Sequence, residues 1–154
     1  MEFSHIDKNG NAHMVDVSSK DKTERIAIAS GIIVMSEECK AMIEEGKHKK
    51  GDVLTVAQVA GVMAAKNTSN VIPMTHPISL AHVKVEFESI NDGYLCKSTV
   101  KCIGETGVEM EALNSVSTAL LTVYDMAKAV DKRMVIKDIH LVEKHGGKSG
   151  DFTF

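Results

Sequence analysis

Two charged side chains near the end of a predicted helix form the first candidate pair for chemistry. Apolar residues at helical spacing predict a helix from about residue 109 to 131. Asp125 and Lys128 lie three residues apart on this helix, so their side chains can touch. A surface ion pair of this kind contributes only about 0–1 kcal/mol to stability and needs no functional explanation. If the pair is buried, however, its acid and its amine can exchange protons with a substrate.

A histidine in a stiff loop is the second candidate. The two prolines of the chain, Pro73 and Pro77, flank the segment Met74-Thr75-His76. Each proline fixes its own φ, and Pro77 also moves His76 away from the helical region. The loop therefore presents His76 in one defined pose. A rigid connector whose histidine bonds to a backbone carbonyl explains the same pattern equally well.

Acidic residues at the predicted start of the 109–131 helix are a third candidate. Glu109 and Glu111 flank Met110, and acids in a first helical turn are already favoured by the helix dipole. In an extended segment, side chains two residues apart point to the same side. The two carboxylates could then accept hydrogen bonds from the amino and ring N–H groups of a guanine-like or pterin ring.

Lysines at loops and helix ends could bind a polyanion if the fold gathers them into one cleft. Lys66 ends a predicted helix, and Lys148 lies in a Gly-rich tail. The alternative is that these are ordinary surface lysines. Gly147-Lys148-Ser149 is not a nucleotide-binding P-loop, because Val142 stands where that motif requires glycine and no helix can follow.

The predicted elements that position these residues follow the order strand, helices, strand, strand, helix, strand. Asn91-Asp92-Gly93 is a strong hairpin signal, and Gly31 is a candidate bulge. The order predicts an α+β, ferredoxin-like split βαβ fold, with an antiparallel sheet and helices packed on one face. The predicted strands are 13–17, 24–35, 80–89, 94–104 and 134–142, the predicted helices are 37–45, 52–66 and 109–131, and residues 67–79 are a predicted loop.

The length of 154 residues predicts a single domain over residues 1–154. Residues 1–10 are expected to be a loose lead-in, and residues 145–154 a flexible Gly-rich tail. The predicted helix 52–66, which Asp52 can cap, is apolar almost all round. Because such a helix must be covered on every side, we expect another subunit to pack against it.

Composition excludes several classes of protein. A net charge of −3 with 4% aromatic residues and no tryptophan argues against a nucleic-acid partner. No apolar run approaches the ~18 residues of a membrane span, and the first residues lack the apolar core of a secretory signal. The three cysteines lack zinc-ligand spacing, which indicates reduced thiols and a cytoplasmic protein.

Short motifs spread over nearly the whole chain carry a family resemblance. They are Lys-Gly-Asp-Val at 50–53, Ala-Gly at 60–61 with Ala-Ala-Lys at 64–66, Ile-Pro-Met-Thr-His-Pro at 72–77, Thr-Gly-Val-Glu-Met-Glu-Ala-Leu at 106–113, Tyr-Asp-Met at 124–126 with Lys-Ala-Val at 128–130, and Gly-Gly-Lys-Ser-Gly-Asp-Phe at 146–152. Together they resemble the cyclic pyranopterin monophosphate synthases, the C proteins of molybdenum-cofactor biosynthesis. Thr75 departs from the family pattern, in which a cysteine is common.

The resemblance implies a lyase and a specific reaction. The family converts (8S)-3′,8-cyclo-7,8-dihydroguanosine 5′-triphosphate into cyclic pyranopterin monophosphate and releases pyrophosphate. By this resemblance, Asp125 is the principal acid and base, while Lys50 and Lys128 transfer protons and hold developing charge. The other implied roles are substrate binding by Met74, Thr75, His76, Met110 and Glu111, support by Glu109, and pyrophosphate binding by Lys66 and Lys148.

The family also implies a homohexamer, a trimer of dimers, with each site between subunits. We therefore predict that Lys50 and Asp125 reach one cleft from different chains. No metal-ligand spacing occurs, so no structural metal and no required cofactor are expected, although Mg²⁺ could accompany the triphosphate.

Two alternatives to an enzyme remain at this point. The first is a non-catalytic ferredoxin-like regulatory module that binds a nucleotide or another anion. The second is a purely structural oligomer.

Overall fold

The computed structural model describes residues 3–46 and 52–154. Its strands are β1 (Thr23–Val34), β2 (Leu80–Ile90), β3 (Gly93–Gly104), β4 (Val135–His145) and β5 (Phe152–Thr153). Its helices are α1 (Glu37–Glu44), α2 (Val53–Lys66), α3 (Thr68–Val71) and α4 (Glu109–Ala127). No described helix meets the length and apolarity that crossing a membrane requires.

The five strands form one sheet in the order β2-β3-β1-β4-β5, and each neighbouring pair is antiparallel. Alternate residues of the central strands are buried beneath the helices, among them Ala29, Ile33, Cys96 and Val100. Helix α4 packs over β1, β3 and β4, and α2 packs beside it over β2. The predicted α+β, ferredoxin-like fold is therefore confirmed, as is the Asn91-Asp92 hairpin between β2 and β3.

Helices α2 and α4 approach closely at a glycine. A Cβ atom added to Gly61 would lie 3.1 Å from the carbonyl oxygen of Ser115. Further along α2, the Asn114 side-chain amide donates to the carbonyl of Ala64 at 3.0 Å and to Thr68 Oγ1 at 3.3 Å. These contacts show that the helices run antiparallel, so the end of α2 lies beside the start of α4.

Gly31, predicted to be a bulge in its own strand, instead lies opposite a bulge in the neighbouring strand. The β1–β4 register shifts between Ser30 and Ile32, but the extra residue belongs to β4, where Asp138 has a φ of 56°. Gly31 faces α4 so closely that an added Cβ would lie 2.9 Å from Leu120 Cδ1 and 3.0 Å from Val116 Cγ1. The glycine therefore serves the packing of the sheet against the helix as well as the bulge.

The strand predicted near the chain start is wrong. Residues 13–17 form no strand, because β-branched composition alone provides no neighbouring strand to pair with. The segment expected to be a loose lead-in contains local contacts. Ile6 forms an isolated bridge with Ala12, and the Asp7 carboxylate accepts hydrogen bonds from two nearby backbone N–H groups at 2.8 Å.

The predicted loop 67–79 and the predicted end of the last helix also need correction. Residues Thr68–Val71 form the short helix α3. Helix α4 ends at Ala127, four residues earlier than predicted. The chain turns there because the Asp131 carboxylate accepts hydrogen bonds from the backbone N–H groups of Ser36 and Arg133, each at 2.8 Å.

The C-terminal tail contains a strand that the sequence analysis did not predict. β5 pairs with β4, with Phe152 opposite Lys144 and Thr153 opposite Glu143. His145, expected to begin the flexible tail, is the last residue of β4. The last part of the Gly-rich tail therefore pairs with the sheet.

Candidate active site

A pocket at the N-terminal end of α4, which we call the α4 pocket, has a volume of about 290 Å³. It brings together every residue of the two predicted substrate-binding segments: Met74, Thr75, His76, Glu109, Met110 and Glu111. Residues that the sequence analysis did not select also line it, among them His5 and Lys20. Segments far apart in the chain therefore form one recess that contains imidazole, carboxyl and thioether groups.

The Glu111 carboxyl is the most perturbed acid of this pocket. Its residue is only 4% exposed, in the first turn of α4. Burial raises the pKa of this carboxyl from 4.5 to about 7. A hydrogen bond from the backbone N–H of Glu111 acts to lower the pKa, and the charge of Glu109 acts to raise it. A carboxyl group with a pKa near neutrality can both donate and accept a proton under physiological conditions.

Lys144 of β4 contacts the pocket's second acid. Its Nζ lies 2.5 Å from Glu109 Oε1, and each side chain is only about a quarter exposed. Lys144 was not predicted from the sequence, since the two residues are far apart in the chain and no spacing signal connects them. The ion pair holds the Glu109 carboxylate beside Glu111 and links the pocket to the sheet.

The loop that carries His76 is fixed by its own hydrogen bonds. Thr75 donates to the carbonyl of Ile72 through both its hydroxyl, at 2.8 Å, and its backbone N–H, at 3.2 Å. Within the described residues, the His76 ring makes no hydrogen bond, so nothing there supports its alternative role as a carbonyl cap. Its imidazole instead lines the α4 pocket. Hydrogen bonds from Ser18 lower the pKa of Asp16, and the nearby charge of His76 adds a smaller effect in the same direction.

A second cavity, which we call the basic cavity, has a volume of about 410 Å³. It is lined by Lys20, Asp21, Thr23, Arg25, Gly147, Lys148 and Ser149. Lys20 lines both cavities, so they adjoin. The Arg25 guanidinium is oriented by bonds to the carbonyls of Gly104 and Glu105, at 2.8 and 3.0 Å. Three cationic side chains against one acid make this cavity suited to a polyanion.

Lys66 is the one predicted phosphate-binding residue that lines neither cavity. It is the last residue of α2 and is exposed. Because α2 and α4 are antiparallel, Lys66 nevertheless lies at the same end of the helix pair as the α4 pocket.

The Asp125–Lys128 pair lies at the other end of α4. Lys128 Nζ is 2.5 Å from Asp125 Oδ1, which confirms the predicted contact. Hydrogen bonding to Asp125 and the charge of its carboxylate raise the pKa of Lys128. The side chains are 59% and 50% exposed, however, so a single chain does not bury the pair.

One chain does not bring the pair and the α4 pocket together. Asp125 follows Glu111 by fourteen residues of continuous helix. At 1.5 Å per residue, this spacing separates the two positions by about 21 Å along the helix axis. The predicted contact between Asp125 and Lys50 concerns a residue outside the described ranges.

Comparison with known proteins gives a consistent assignment. The model of the MoaC family matches residues 14–147. A cyclic pyranopterin monophosphate synthase of Clostridium perfringens (strain 13 / Type A) is 57% identical, over 99% of this chain and 98% of its own. Proteins of the same name from Desulfitobacterium hafniense and Syntrophomonas wolfei are 56% and 55% identical, covering 99% and 97% of this chain and 94% and 97% of theirs. The chain therefore belongs to the MoaC family.

Proposed function

We propose that this protein is a lyase of molybdenum-cofactor biosynthesis with the activity for which its relatives are named. It converts (8S)-3′,8-cyclo-7,8-dihydroguanosine 5′-triphosphate into cyclic pyranopterin monophosphate and releases pyrophosphate. Identities above 50% over nearly the whole chain support this assignment. The structural observation that carries it is a pocket of proton-transferring groups directly beside a cavity of cations, which suits a substrate with a ring at one end and phosphates at the other.

The α4 pocket would receive the ring system. Rebuilding the purine as a pyranopterin requires protons to be moved on and off ring nitrogens, which needs groups that titrate near neutrality. Glu111 has such a pKa, and the imidazole of His76 lines the same pocket. His76 and Glu111 would therefore contact the ring, while Glu109 is held in place by Lys144.

The basic cavity would receive the phosphates. Forming the cyclic phosphate breaks a bond to pyrophosphate, whose negative charge increases as it leaves. Cations already in place stabilise that charge without reorganising. Arg25 is held by two carbonyl groups, and Lys20 and Lys148 face the same space. Lys66 would join them from the end of α2.

Asp125 would be the principal acid and base, acting with Lys128 and Lys50. Because about 21 Å separates Asp125 from Glu111 along α4, a second copy of the chain must bring the pair to the pocket. This copy would also exclude water from the exposed pair. Removal of water strengthens the attraction between acid and amine and makes proton transfer controllable.

An apolar surface supports assembly. Four large apolar side chains of α2 and α4 form what we call the outer helix face, and they are 43–59% exposed: Val56, Val59, Met63 and Leu121. The predicted all-round apolar character of α2 leaves this face uncovered in one chain. A trimer of dimers, with a site between subunits, would cover such a face and complete the pocket.

No resident cofactor is part of the proposal. Within residues 3–46 and 52–154, no three His, Cys, Asp or Glu side chains form a group that could hold a metal ion. Mg²⁺ would enter with the triphosphate and bind its oxygens. We also propose a cytoplasmic location, supported by three unpaired, buried cysteines.

The proposal is tested by incubating the protein with the enzymatically generated cyclic triphosphate and detecting cyclic pyranopterin monophosphate and pyrophosphate by mass spectrometry. Asp125→Asn should abolish both products, whereas Asp138→Asn, a matched change at an exposed residue of β4, should leave them unchanged. Anion binding without any product would instead identify the regulatory module, which the comparisons do not support. If replacing Lys148 has no effect on function, this would favour a purely structural oligomer.

A further inference from the structure

One histidine outside both cavities is held between two carboxylates. His145 Nε2 lies 3.0 Å from Glu143 Oε2, and His145 Nδ1 lies 3.3 Å from Asp151 Oδ2. Glu143 is on the same strand, β4, but Asp151 is six residues further along the chain. The imidazole therefore joins the end of β4 to the residue just before β5.

The segment closed by this contact carries a lining residue of the basic cavity. Asp151 also accepts a hydrogen bond from the backbone N–H of Gly146 at 3.1 Å, and Gly150 N–H donates to the carbonyl of Gly147 at 3.4 Å. Gly146, Gly147 and Gly150 all have positive φ values, of 90°, 83° and 76°. This glycine-rich backbone has little stiffness of its own, so its shape depends on the contacts at its ends.

We propose that His145 is a positioning residue: through Asp151 it holds the 146–151 turn in the shape that presents Lys148 to the phosphate groups of the ligand. We call the contact between His145 and Asp151 the clip, because it connects β4 to the tail. This proposal rests on the proposed role of the basic cavity as a phosphate site.

The charged groups around the clip make it dependent on pH. Hydrogen bonds to Glu143 and Asp151, together with their charges, raise the pKa of His145 above 6.5. The adjacent strand β1 contributes two further charged residues. Glu24 is paired with Lys101 at 2.9 Å, and Arg25 is bonded to the carbonyls of Gly104 and Glu105. Strand β5 contributes no charged residue. The clip is therefore complete when His145 is charged, and it weakens as pH rises through the raised pKa.

The test measures the dissociation constant of pyrophosphate by calorimetry, from pH 6 to pH 8.5, for the intact oligomer and for His145→Gln. The variant should bind about twofold to fivefold more weakly at pH 6, the range that exposed ion pairs give. The ratio of its dissociation constant to that of wild type should fall toward one at pH 8.5. His82→Gln, a matched change at an exposed histidine of β2, should give a ratio of one throughout.

A second variant separates positioning from simple charge attraction. Asp151→Ala removes a negative charge close to the basic cavity, so electrostatics alone predicts tighter pyrophosphate binding. The clip predicts weaker binding, because the turn loses its anchor. Amide hydrogen exchange of residues 146–151, corrected for intrinsic rates, should be faster in both variants than in wild type at pH 6.

The outcomes separate the two proposals. If wild type does not bind pyrophosphate at any pH, the phosphate site fails and this inference fails with it. If wild type binds pyrophosphate but His145→Gln binds equally well at pH 6, only the positioning role is overturned. Tighter binding by Asp151→Ala, with unchanged exchange of the turn, would overturn it as well.

Discussion

Replacing Glu111 by glutamine should stabilise the folded protein in a pH-dependent way. The carboxyl is buried, and its pKa is raised from 4.5 to about 7. Each pKa unit corresponds to about 1.4 kcal/mol, so ionising the buried group destabilises the fold by about 3 kcal/mol at high pH. Glutamine has nearly the same shape and never ionises, so the variant avoids this destabilisation.

The sign and the pH window follow from the two pKa values. Below pH 4.5 the carboxyl is protonated in both the folded and the unfolded state, and no penalty exists. Between pH 4.5 and 7 the unfolded chain loses the proton first, so the folded state becomes less stable as pH rises. Above pH 7 both states are ionised and the penalty is constant.

Urea denaturation at fixed protein concentration measures this effect. From pH 5 to pH 8, the free energy of unfolding of Glu111→Gln relative to wild type should increase by about 2.5 kcal/mol. Glu109→Gln is the matched control on the same helical turn, and there no such increase is expected, because Glu109 is a quarter exposed and paired with Lys144. If the free energy of unfolding of Glu111→Gln differs from that of wild type by the same amount at every pH, this account of the buried acid is refuted.

Three further predictions concern the packing, the assembly and the pocket. Gly31→Ala should lower the free energy of unfolding by about 1–3 kcal/mol in urea titrations, because the new Cβ would lie 2.8 Å from Ile139 and 2.9 Å from Leu120. A variant as stable as wild type would contradict the packing described for this glycine. Met63→Lys should lower the oligomer mass in light scattering with an unchanged circular dichroism spectrum, because Met63 is 57% exposed on the outer helix face; an unchanged mass would show that this face is not the interface. His76→Gln should lower kcat/KM by about 10²-fold or more with an unchanged melting temperature, and near-normal activity would remove His76 from proton transfer.

Much of the fold follows from local sequence signals. The Asn91-Asp92-Gly93 turn and the Asp52 cap of α2 are short-range features, and the structure has both of them. The end of α4 and strand β5 were missed for a common reason. Each depends on a contact that the local sequence does not reveal: the bond from Ser36 N–H to Asp131 across 95 positions, and the pairing of Phe152 with Lys144.

The candidate site also contains residues that local motifs indicate and residues that only tertiary packing brings to it. The motifs at 72–77 and 106–113 lead to residues that line one pocket, because each motif keeps its neighbours together along the chain. Lys144 and Lys20 reach the site only through tertiary packing, so no spacing identifies them. The exposure of Asp125 in one chain was left open by the sequence, because it depends on the outer surface of the fold, which helix periodicity does not determine.

The central claim is that the Asp125–Lys128 pair of one copy completes the α4 pocket of another. Mixing Asp125→Ala with Glu111→Gln tests it most directly, with subunit exchange confirmed by mass spectrometry. We expect each variant to be inactive alone, because each lacks one acid of the proposed site. In a symmetric dimer, each mixed interface has one site with both residues intact, so about a quarter of all sites should regain activity. The pair Lys50→Ala and Asp125→Ala, mixed in parallel, tests whether Lys50 and Asp125 come from different chains. Recovery of about a quarter of wild-type activity by the first mixture is the predicted result, and no recovery after complete exchange would contradict the shared site.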